Sequence, residues 1–382
     1  MDYAAATPVS KGAHEAQVKM REIFANPGAI HKDGVEAKTA LEDARGQIGL
    51  FLGCRAREVI FTSGGTESNN LAILGHARFL EKERGTLADT NWITTKIEHP
   101  SVLECFKEIS LLGGEVIFIS PNEHGVITPD TLRANIKDST VLVSVGWANS
   151  EIGTVQPLHD LSKIIKEKDS RIVFHTDAGQ APLYKPSIAN GLGVDMISLD
   201  SGKLYGPRGI GALYKKSSVP VSPLFFGGAQ EYGLRPGSEN VSLAAGFAYA
   251  LKEASEKREK ETIRLERVRC VFIERITELI KGVVVNGEGK TNLPNVINVS
   301  IPDIDNEYIT LALDNIGVSV STKSSCLEGE EDISHVVDAL GGGKWRAKNS
   351  IRFSFGSDTF EKDADYVAQK LSELTEEYKS LT

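Results

Sequence analysis

One lysine, Lys203, lies in the stretch DMISLDSGKLYGPRG (195–209), where an apolar run ends and a Tyr-Gly-Pro turn begins. Its neighbours Asp200, Ser201 and Gly202 are small or polar. A lysine in a desolvated site can act as a nucleophilic amine that forms a Schiff base with a carbonyl compound. An ordinary solvent-facing lysine is the alternative, and this stretch alone does not separate the two.

Two segments towards the C-terminus contain groups that suit reaction with a small substrate. Cys326 lies in the polar segment STKSSCLEGEE (321–331), where we expect an exposed thiol that can act as a nucleophile. The nearby Lys323 would favour the thiolate. Arg352, in NSIRFSFG (349–356), has a planar guanidinium that suits two-point binding of a carboxylate. A surface cysteine and an edge-strand arginine without a role are the alternatives.

Further polar residues follow predicted strands. FHTDAGQAP places Asp177 and Gln180 just after a strand, and an aspartate there can pair with a cationic ring nitrogen or cap a helix. WANSEIGTVQP places Asn149 in a similar position. KIEHPSVLE places His99 directly before a helix, where a lone histidine is more often structural than catalytic.

The segment FTSGGTESNN (61–70) predicts a strand, a glycine turn and a helix start. The backbone N–H groups near Gly65 and Thr66 would form an anion site at that helix start. The segment is neither a P-loop nor a GxGxxG fingerprint, and a simple capped turn is the alternative.

Short β-rich runs alternate with helical patterns between about residues 33 and 216. Apolar runs separated by helices predict a mostly parallel sheet covered on both faces. Ligands of such sheets bind beyond the carboxyl ends of the strands, where the polar residues above fall. We predict seven strands: EVIFTS (58–63), WITTK (92–96), EVIFIS (115–120), VLVSVGW (141–147), IVFHTD (172–177), DMISL (195–199) and IGALY (210–214).

The rest of the chain predicts a second, smaller unit. A long helical pattern over about 239–282 leads into a mixed set of strands and helices. We therefore predict an α/β protein with a large domain at 15–250 and a small α+β domain formed by 251–382 together with 1–14.

Composition limits the function classes. Of the 382 residues, 41% are hydrophobic and 25% are charged, which is typical of a globular protein. The net charge of −9 argues against a nucleic-acid partner. No apolar run is long enough to cross a bilayer and no signal peptide is evident, so we expect a cytoplasmic protein without a membrane partner. The four cysteines lack metal-site spacing, and we predict no bound metal.

Together and in this order, the motifs resemble those of the cysteine desulfurases, class-V members of the fold-type-I pyridoxal-phosphate (PLP) enzymes. The resemblance implies a fold-type-I PLP-transferase fold, and an enzyme that converts L-cysteine to L-alanine. It runs nearly end to end and rests on DYAAATPV (2–9), NPGAIHKDG (26–34), FTSGGTESNN (61–70), EHPSV (98–102), ANSEIGTVQP (148–157), HTDAGQA (175–181), GKLYGPRGIGALY (202–214), GGAQEYGLRPGSENV (227–241), STKSSC (321–326) and SIRFSFG (350–356).

The resemblance implies how the ring of the cofactor is held. Lys203 would be the Schiff-base lysine, and Asp177 would pair with the protonated pyridine nitrogen. His99 would stack on the ring and assist proton transfer. Asn149 and Gln180 would hydrogen-bond the phenolic oxygen.

It also implies how the phosphate is held. Gly65 and Thr66 would bind it through the helix start. Ser201, beside the altered position 200, is this chain's own candidate for a substitute hydroxyl. Ser238 would reach in from a second subunit, which implies a homodimer.

For the substrate, the resemblance implies that Arg352 binds the carboxylate of L-cysteine, together with Asn149. Cys326 would take the substrate sulfur as a persulfide. A sulfur-acceptor protein would then receive it, for iron–sulfur cluster or thiolation pathways.

The chain departs from the family beside the Schiff-base lysine. The family usually has Ser-x-His-Lys, with the serine and the histidine both on the phosphate, whereas this chain has Asp200 and Gly202 at those two positions. A carboxylate near a phosphate is repelled by it. We therefore expect Asp200 to point away from the phosphate position.

Three alternatives to a cysteine desulfurase stay open at this point. The chain can be a selenocysteine lyase, or another class-V lyase or aminotransferase. It can also be a non-catalytic scaffold with weakened PLP binding, which the altered segment before Lys203 would favour.

Overall fold

The structure is a computed structural model that describes residues 1–322 and 333–381. Its helices are α1 Lys11–Met20, α2 Lys32–Leu52, α3 Gly65–Arg84, α4 Pro100–Leu111, α5 Pro129–Asn135, α6 Leu158–Lys168, α7 Ala189–Leu192, α8 Val241–Leu279, α9 Asn306–Asn315, α10 His335–Ala339, α11 Lys344–Lys348 and α12 Glu361–Leu381. Its strands are β1 Val59–Thr62, β2 Asn91–Thr95, β3 Glu115–Ile119, β4 Thr140–Ser144, β5 Val173–Asp177, β6 Met196–Asp200, β7 Gly211–Lys215, β8 Val284–Asn286, β9 Val296–Ser300 and β10 Ser350–Ser354.

The seven strands predicted from the apolar runs form one sheet, in the order β1-β7-β6-β5-β4-β2-β3. The strands from β3 to β6 pair in parallel, whereas β7 is antiparallel to both β6 and β1. The predicted mostly parallel seven-stranded sheet is therefore confirmed. The carboxyl ends of β5 and β6 lie side by side, which places Asp177 near Asp200 and the turn that contains Lys203.

Apart from the edge strand β3, the sheet is buried on both faces. Because side chains alternate along a strand, neighbouring residues of one strand enter different hydrophobic cores. One core receives Ile93, Val143, Phe174 and Ile197, and the other receives Trp92, Leu142, Val173 and Met196. This double burial explains why the strands are apolar throughout rather than alternating.

A second sheet, antiparallel with the order β10-β9-β8, belongs to the C-terminal part of the chain. The predicted long helix is present as α8, whose 39 residues run from Val241 to Leu279 and continue across residue 250. It packs against α1, α2 and α12. Among the described helices, none combines the length and the apolar character needed to cross a membrane.

The N-terminal segment connects the two sheets. Asp2 forms a bridge with Ser354 at the end of β10, and the N–H of Ala4 donates to Ser354 Oγ at 2.9 Å. A few residues on, the N–H of Thr7 donates to the carbonyl of Gly202, beside Lys203. Residues 2–7 therefore run directly across the carboxyl end of β6.

Candidate active site

A cavity of about 380 Å³ opens at the carboxyl ends of the strands. Parallel sheets bind ligands at this edge. Most of the residues that the sequence predicts to bind cofactor or substrate line the cavity: Gly65, Thr66, His99, Asn149, Asp177, Gln180, Lys203 and Arg352. These residues come from six separate segments of the chain, and the fold brings them together.

Lys203 ends the short helical turn Ser201–Lys203 and is partly buried. Its Nζ donates to the carbonyl oxygen of Ala4 at 3.0 Å and also to that of Ala5. Backbone carbonyls of the N-terminal segment therefore fix the amine at the cavity. Sequence reasoning gave this segment no role, because a carbonyl acceptor has no signature in the residue type.

Asp177 ends β5, and two donors hold its carboxylate. The N–H of Gly179 donates to Oδ1 at 2.9 Å, and Asn69 Nδ2 donates to Oδ2 at 2.7 Å. Asn69 lies on α3 and lines the cavity, and the sequence analysis missed it. The position of Asn69 in the first turns of the helix that follows β1, at the ligand-binding edge of the sheet, was the one sign in the sequence that could have indicated a role in the site.

A chain of hydrogen bonds joins Asp177 to His99. Asn69 Nδ2 also donates to Ser101 Oγ at 2.9 Å, and that oxygen lies 2.7 Å from His99 Nδ1. The backbone N–H of Ser101 donates to the same Nδ1 at 3.1 Å. Since Nδ1 accepts, the proton of a neutral His99 ring is on Nε2. His99 also caps the start of α4, and this structural role does not conflict with the predicted role in catalysis.

A buried carboxyl group, Glu98, lies beside this chain and lines the cavity. It accepts from the N–H of Gly146 at 3.0 Å and from Thr95 Oγ1 at 2.7 Å. Burial raises the pKa of Glu98 to about 7, and the negative charge of Asp177 also acts to raise it. Glu98 was not among the predicted site residues.

Asn149 and Gln180 have part of their hydrogen-bonding capacity in use. Asn149 Oδ1 accepts from the N–H of Glu151 at 2.8 Å, and Nδ2 donates to the carbonyl of Ile97 at 2.7 Å. Gln180 Nε2 donates to the carbonyl of Ala4 at 3.0 Å. Each amide nitrogen has a second hydrogen, so one donor per side chain fits a ligand oxygen.

Arg352, on β10, is only 3% exposed. Its Nη2 donates to Asp2 Oδ1 at 2.8 Å and to Ser321 Oγ at 3.1 Å, and Nη1 donates to the carbonyl of Ser150 at 3.2 Å. Its Nε has no hydrogen-bond partner within the described part of the chain. The guanidinium is thus held at the cavity by an aspartate whose role the sequence analysis did not predict.

The expectation for Asp200 is wrong. Its carboxylate lines the cavity, where Oδ2 accepts from the N–H of Gly65 at 3.1 Å and Oδ1 accepts from the N–H of Gly202 at 2.8 Å. The physical reason is the start of α3, where unpaired N–H groups and the helix dipole attract an anion. In this structure the side chain of Asp200 supplies that anion.

The other predicted residues lie elsewhere. The side chain of Ser201 is buried against Gly206 and is not part of the cavity lining, and its Oγ has no hydrogen-bond partner among the described residues. Ser238 is exposed on the surface of the single chain. Cys326 and Lys323 lie outside the described residues.

The other three cysteines do not line the cavity. Burial raises the pKa of Cys54 and of Cys105 to about 12, and burial also raises the pKa of the exposed Cys270. The thiols of Cys54 and Cys105 are therefore poor nucleophiles at neutral pH. Within residues 1–322 and 333–381, no group of three or more His, Cys, Asp or Glu side chains is arranged to hold a metal ion.

The residues present fit pyridoxal phosphate. An amine, a carboxylate, an imidazole and two amides line a cavity whose volume suits a small ligand. The start of α3 provides N–H groups at one end, although one of them is already bound by Asp200. The fold and this set of groups define a fold-type-I enzyme of the class-V type.

Comparison with known proteins agrees with this assignment. Residues 1–367 match the family described as Aminotransferase class-V. A cysteine desulfurase IscS from Dictyoglomus turgidum is 40% identical over 383 residues, which cover 100% of this chain and 95% of that protein. A solved structure of a NifS-like protein is 33% identical over 98% of each chain, with a TM-score of 0.90.

A second solved structure, SspA in complex with cysteine, is 32% identical over 93% of this chain and 97% of that chain, with a TM-score of 0.79. The chain belongs to the class-V aminotransferase family. Within it the chain groups with the cysteine desulfurases, which confirms the resemblance that the motifs predict.

Proposed function

We propose that this protein binds pyridoxal phosphate at Lys203 and converts L-cysteine to L-alanine, with the substrate sulfur taken up by Cys326. One observation supports this most strongly. An amine, a carboxylate, an imidazole and a buried arginine line a single cavity at the carboxyl edge of the sheet: Lys203, Asp177, His99 and Arg352. Each has a polar contact that fixes its orientation.

When bound, the cofactor supplies an electron sink next to the substrate Cα. Lys203 would hold the cofactor through its amine, and its Nζ would also accept the Cα proton of the substrate. Asp177 would pair with the ring nitrogen, and the orientation of its carboxylate is maintained by Asn69 and Gly179. The ring face of His99 would stack on the cofactor, and its Nε2 would take part in proton transfer, because Nδ1 accepts from the N–H of Ser101.

We assign binding of the substrate carboxylate to Arg352. Its burial lowers the local dielectric and strengthens the attraction between guanidinium and carboxylate. Asp2 and Ser321 hold the guanidinium in place, and Asn149 contributes a second amide hydrogen at the same end of the cavity.

The sulfur step needs a thiolate, and we assign it to Cys326. The thiolate attacks the sulfur of the substrate, the Cβ–S bond breaks, and a persulfide forms on Cys326 while the three-carbon fragment gains a proton and leaves as alanine. The other three thiols are outside the cavity, and their raised pKa values oppose thiolate formation.

Further parts of the proposal concern partners and location. We propose a sulfur-acceptor protein that serves an iron–sulfur cluster or thiolation pathway, and a homodimer in which Ser238 reaches the partner's phosphate site. Several apolar side chains are at least 70% exposed in the single chain and support an interface, among them Phe24, Ile30, Leu50 and Phe226. The three cysteines within the described residues are unpaired, which is in keeping with a cytoplasmic, reducing location.

The test is an assay for alanine and sulfide from L-cysteine, with a thiol reductant and with or without added PLP. We expect equal amounts of both products from the wild type. We expect neither product from Lys203→Ala, and none from Cys326→Ala although that variant keeps the cofactor. Selenocysteine-only turnover would instead indicate a selenocysteine lyase, and wild-type protein that takes up no PLP would indicate a scaffold.

A further inference from the structure

The phosphate end of the cavity already contains a negative charge. Asp200 bonds through both carboxylate oxygens, one to the N–H of Gly65 and the other to the N–H of Gly202. Gly65 is the first residue of α3, a helix of 20 residues. The strongest anion position that a helix offers is at its first turn, and here a side chain of the same protein takes it.

The packing around the carboxylate is close. A Cβ at position 65 would lie 3.2 Å from Asp200 Cβ and 3.3 Å from Oδ2, which is tighter than an ordinary contact. Glycine at position 65 therefore makes room for Asp200. The two residues fit each other, so the inward position of the carboxylate is part of the packed structure rather than a loose surface rotamer.

Gly202 stands at the position where the family has a histidine that contacts the phosphate. A Cβ there would lie 3.3 Å from both Arg208 Cγ and Asp200 Oδ1, so the stem of Arg208 and the carboxylate fill that side. Arg208 lines the cavity, and within the described residues it forms no ion pair or hydrogen bond. At the positions of the family's two phosphate ligands, this chain thus has an anion, Asp200, and a residue without a side chain, Gly202.

We propose, on the basis of the function proposed above, that Asp200 is a built-in occupant of the phosphate position, so that the phosphate group contributes little to cofactor affinity in this protein. A phosphate monoester has a charge near −2 at neutral pH. It must either approach the carboxylate, at an electrostatic cost, or displace it and break its two hydrogen bonds. Cofactor affinity then rests on Lys203, Asp177 and the ring contacts, and the cofactor exchanges readily.

The test compares PLP with pyridoxal, which has the same ring and aldehyde but no phosphate. Cofactor-free protein is titrated with each compound, and the dissociation constants are read from the visible absorbance of the bound ring. The ratio of the two constants measures what the phosphate contributes. The variants are Asp200→Ser, which restores a hydroxyl, and Asp200→Asn, which removes only the charge and keeps the shape.

We expect both variants to raise the preference for PLP over pyridoxal at least about tenfold, equivalent to about 1.4 kcal/mol. The affinity for pyridoxal should change by less than about twofold, as for a substitution away from the ligand. Glu67→Gln is the matched control. Glu67 is another carboxylate in the first turn of α3, but it pairs with Arg235 and does not line the cavity, so its removal should leave the ratio unchanged.

The proposal is overturned if both variants leave the ratio unchanged, or if they raise the affinities for PLP and pyridoxal equally. Failure of the proposed function gives a different result. In that case neither compound develops absorbance that depends on Lys203, and no alanine forms even with excess PLP.

Discussion

Replacing Glu231 by glutamine is expected to lower the free energy of unfolding by about 3 kcal/mol. The Glu231 and Arg45 side chains are 1% and 2% exposed and form a two-point ion pair, with distances of 2.6 Å (Nη1–Oε2) and 2.7 Å (Nη2–Oε1). Glu231 Oε2 also accepts from the N–H of Phe61 on β1 at 2.8 Å. The substitution leaves a buried guanidinium without its main counterion and weakens the hold on the strand that leads to Gly65.

Urea unfolding followed by circular dichroism measures this loss. Glu42→Gln is the matched control, because Glu42 pairs with the same arginine at 3.2 Å but is 37% exposed. An exposed pair contributes little, so we expect the control to lose less than about 1 kcal/mol. If Glu231→Gln lost no more stability than Glu42→Gln, burial would not be what makes the Arg45–Glu231 pair important.

Three further predictions concern the site. Burial raises the pKa of Glu98 from 4.5 to about 7, so the contribution of Glu98 to stability is fully present below pH 4.5 and is lost as the pH rises through 7. Glu98→Gln should therefore flatten the pH dependence of the free energy of unfolding between these two pH values. An unchanged slope would contradict the raised pKa of Glu98. Asp2→Asn should raise KM for L-cysteine several-fold and change kcat less, because Asp2 positions Arg352; a loss in kcat alone would contradict that role. Cys270→Ser should keep full sulfide release, in contrast to Cys326→Ala, and a comparable loss in both would remove Cys326 from its special role.

The sheet was predictable because its signal is local. Most of its strands are apolar runs buried on both faces, and β5 and β6 end in polar residues at the edge where ligands bind. The positions of Asp177 and Lys203 at the cavity follow from that rule, together with the order of the motifs. The same rule does not extend to contacts between distant segments.

The contacts that the sequence analysis missed depend on three-dimensional placement. Lys203 is fixed by the carbonyl oxygens of Ala4 and Ala5, which are 199 and 198 residues away along the chain. Asp2 meets Arg352 across 350 residues. A backbone carbonyl or a lone aspartate near the N-terminus gives no local sign of such a partner.

Asp200 shows why the orientation of a side chain was harder to predict than its position. From the sequence, repulsion by a phosphate favoured an outward carboxylate. The structure has it inward, because the N–H groups of Gly65 and Gly202 stabilise it there. Which attraction prevails depends on how closely α3 approaches the end of β6, and that distance is not encoded in either segment alone.

In the proposed reaction, sulfur passes from L-cysteine to Cys326 in a cavity built around Lys203. The most direct measurement is mass spectrometry of the protein after one turnover with L-cysteine, in the absence of reductant and after alkylation and digestion. We predict one added sulfur atom on the peptide that contains Cys326, in an amount equal to the alanine formed. Alanine formation with the added sulfur on Cys54, Cys105 or Cys270, or on no cysteine, would contradict the account.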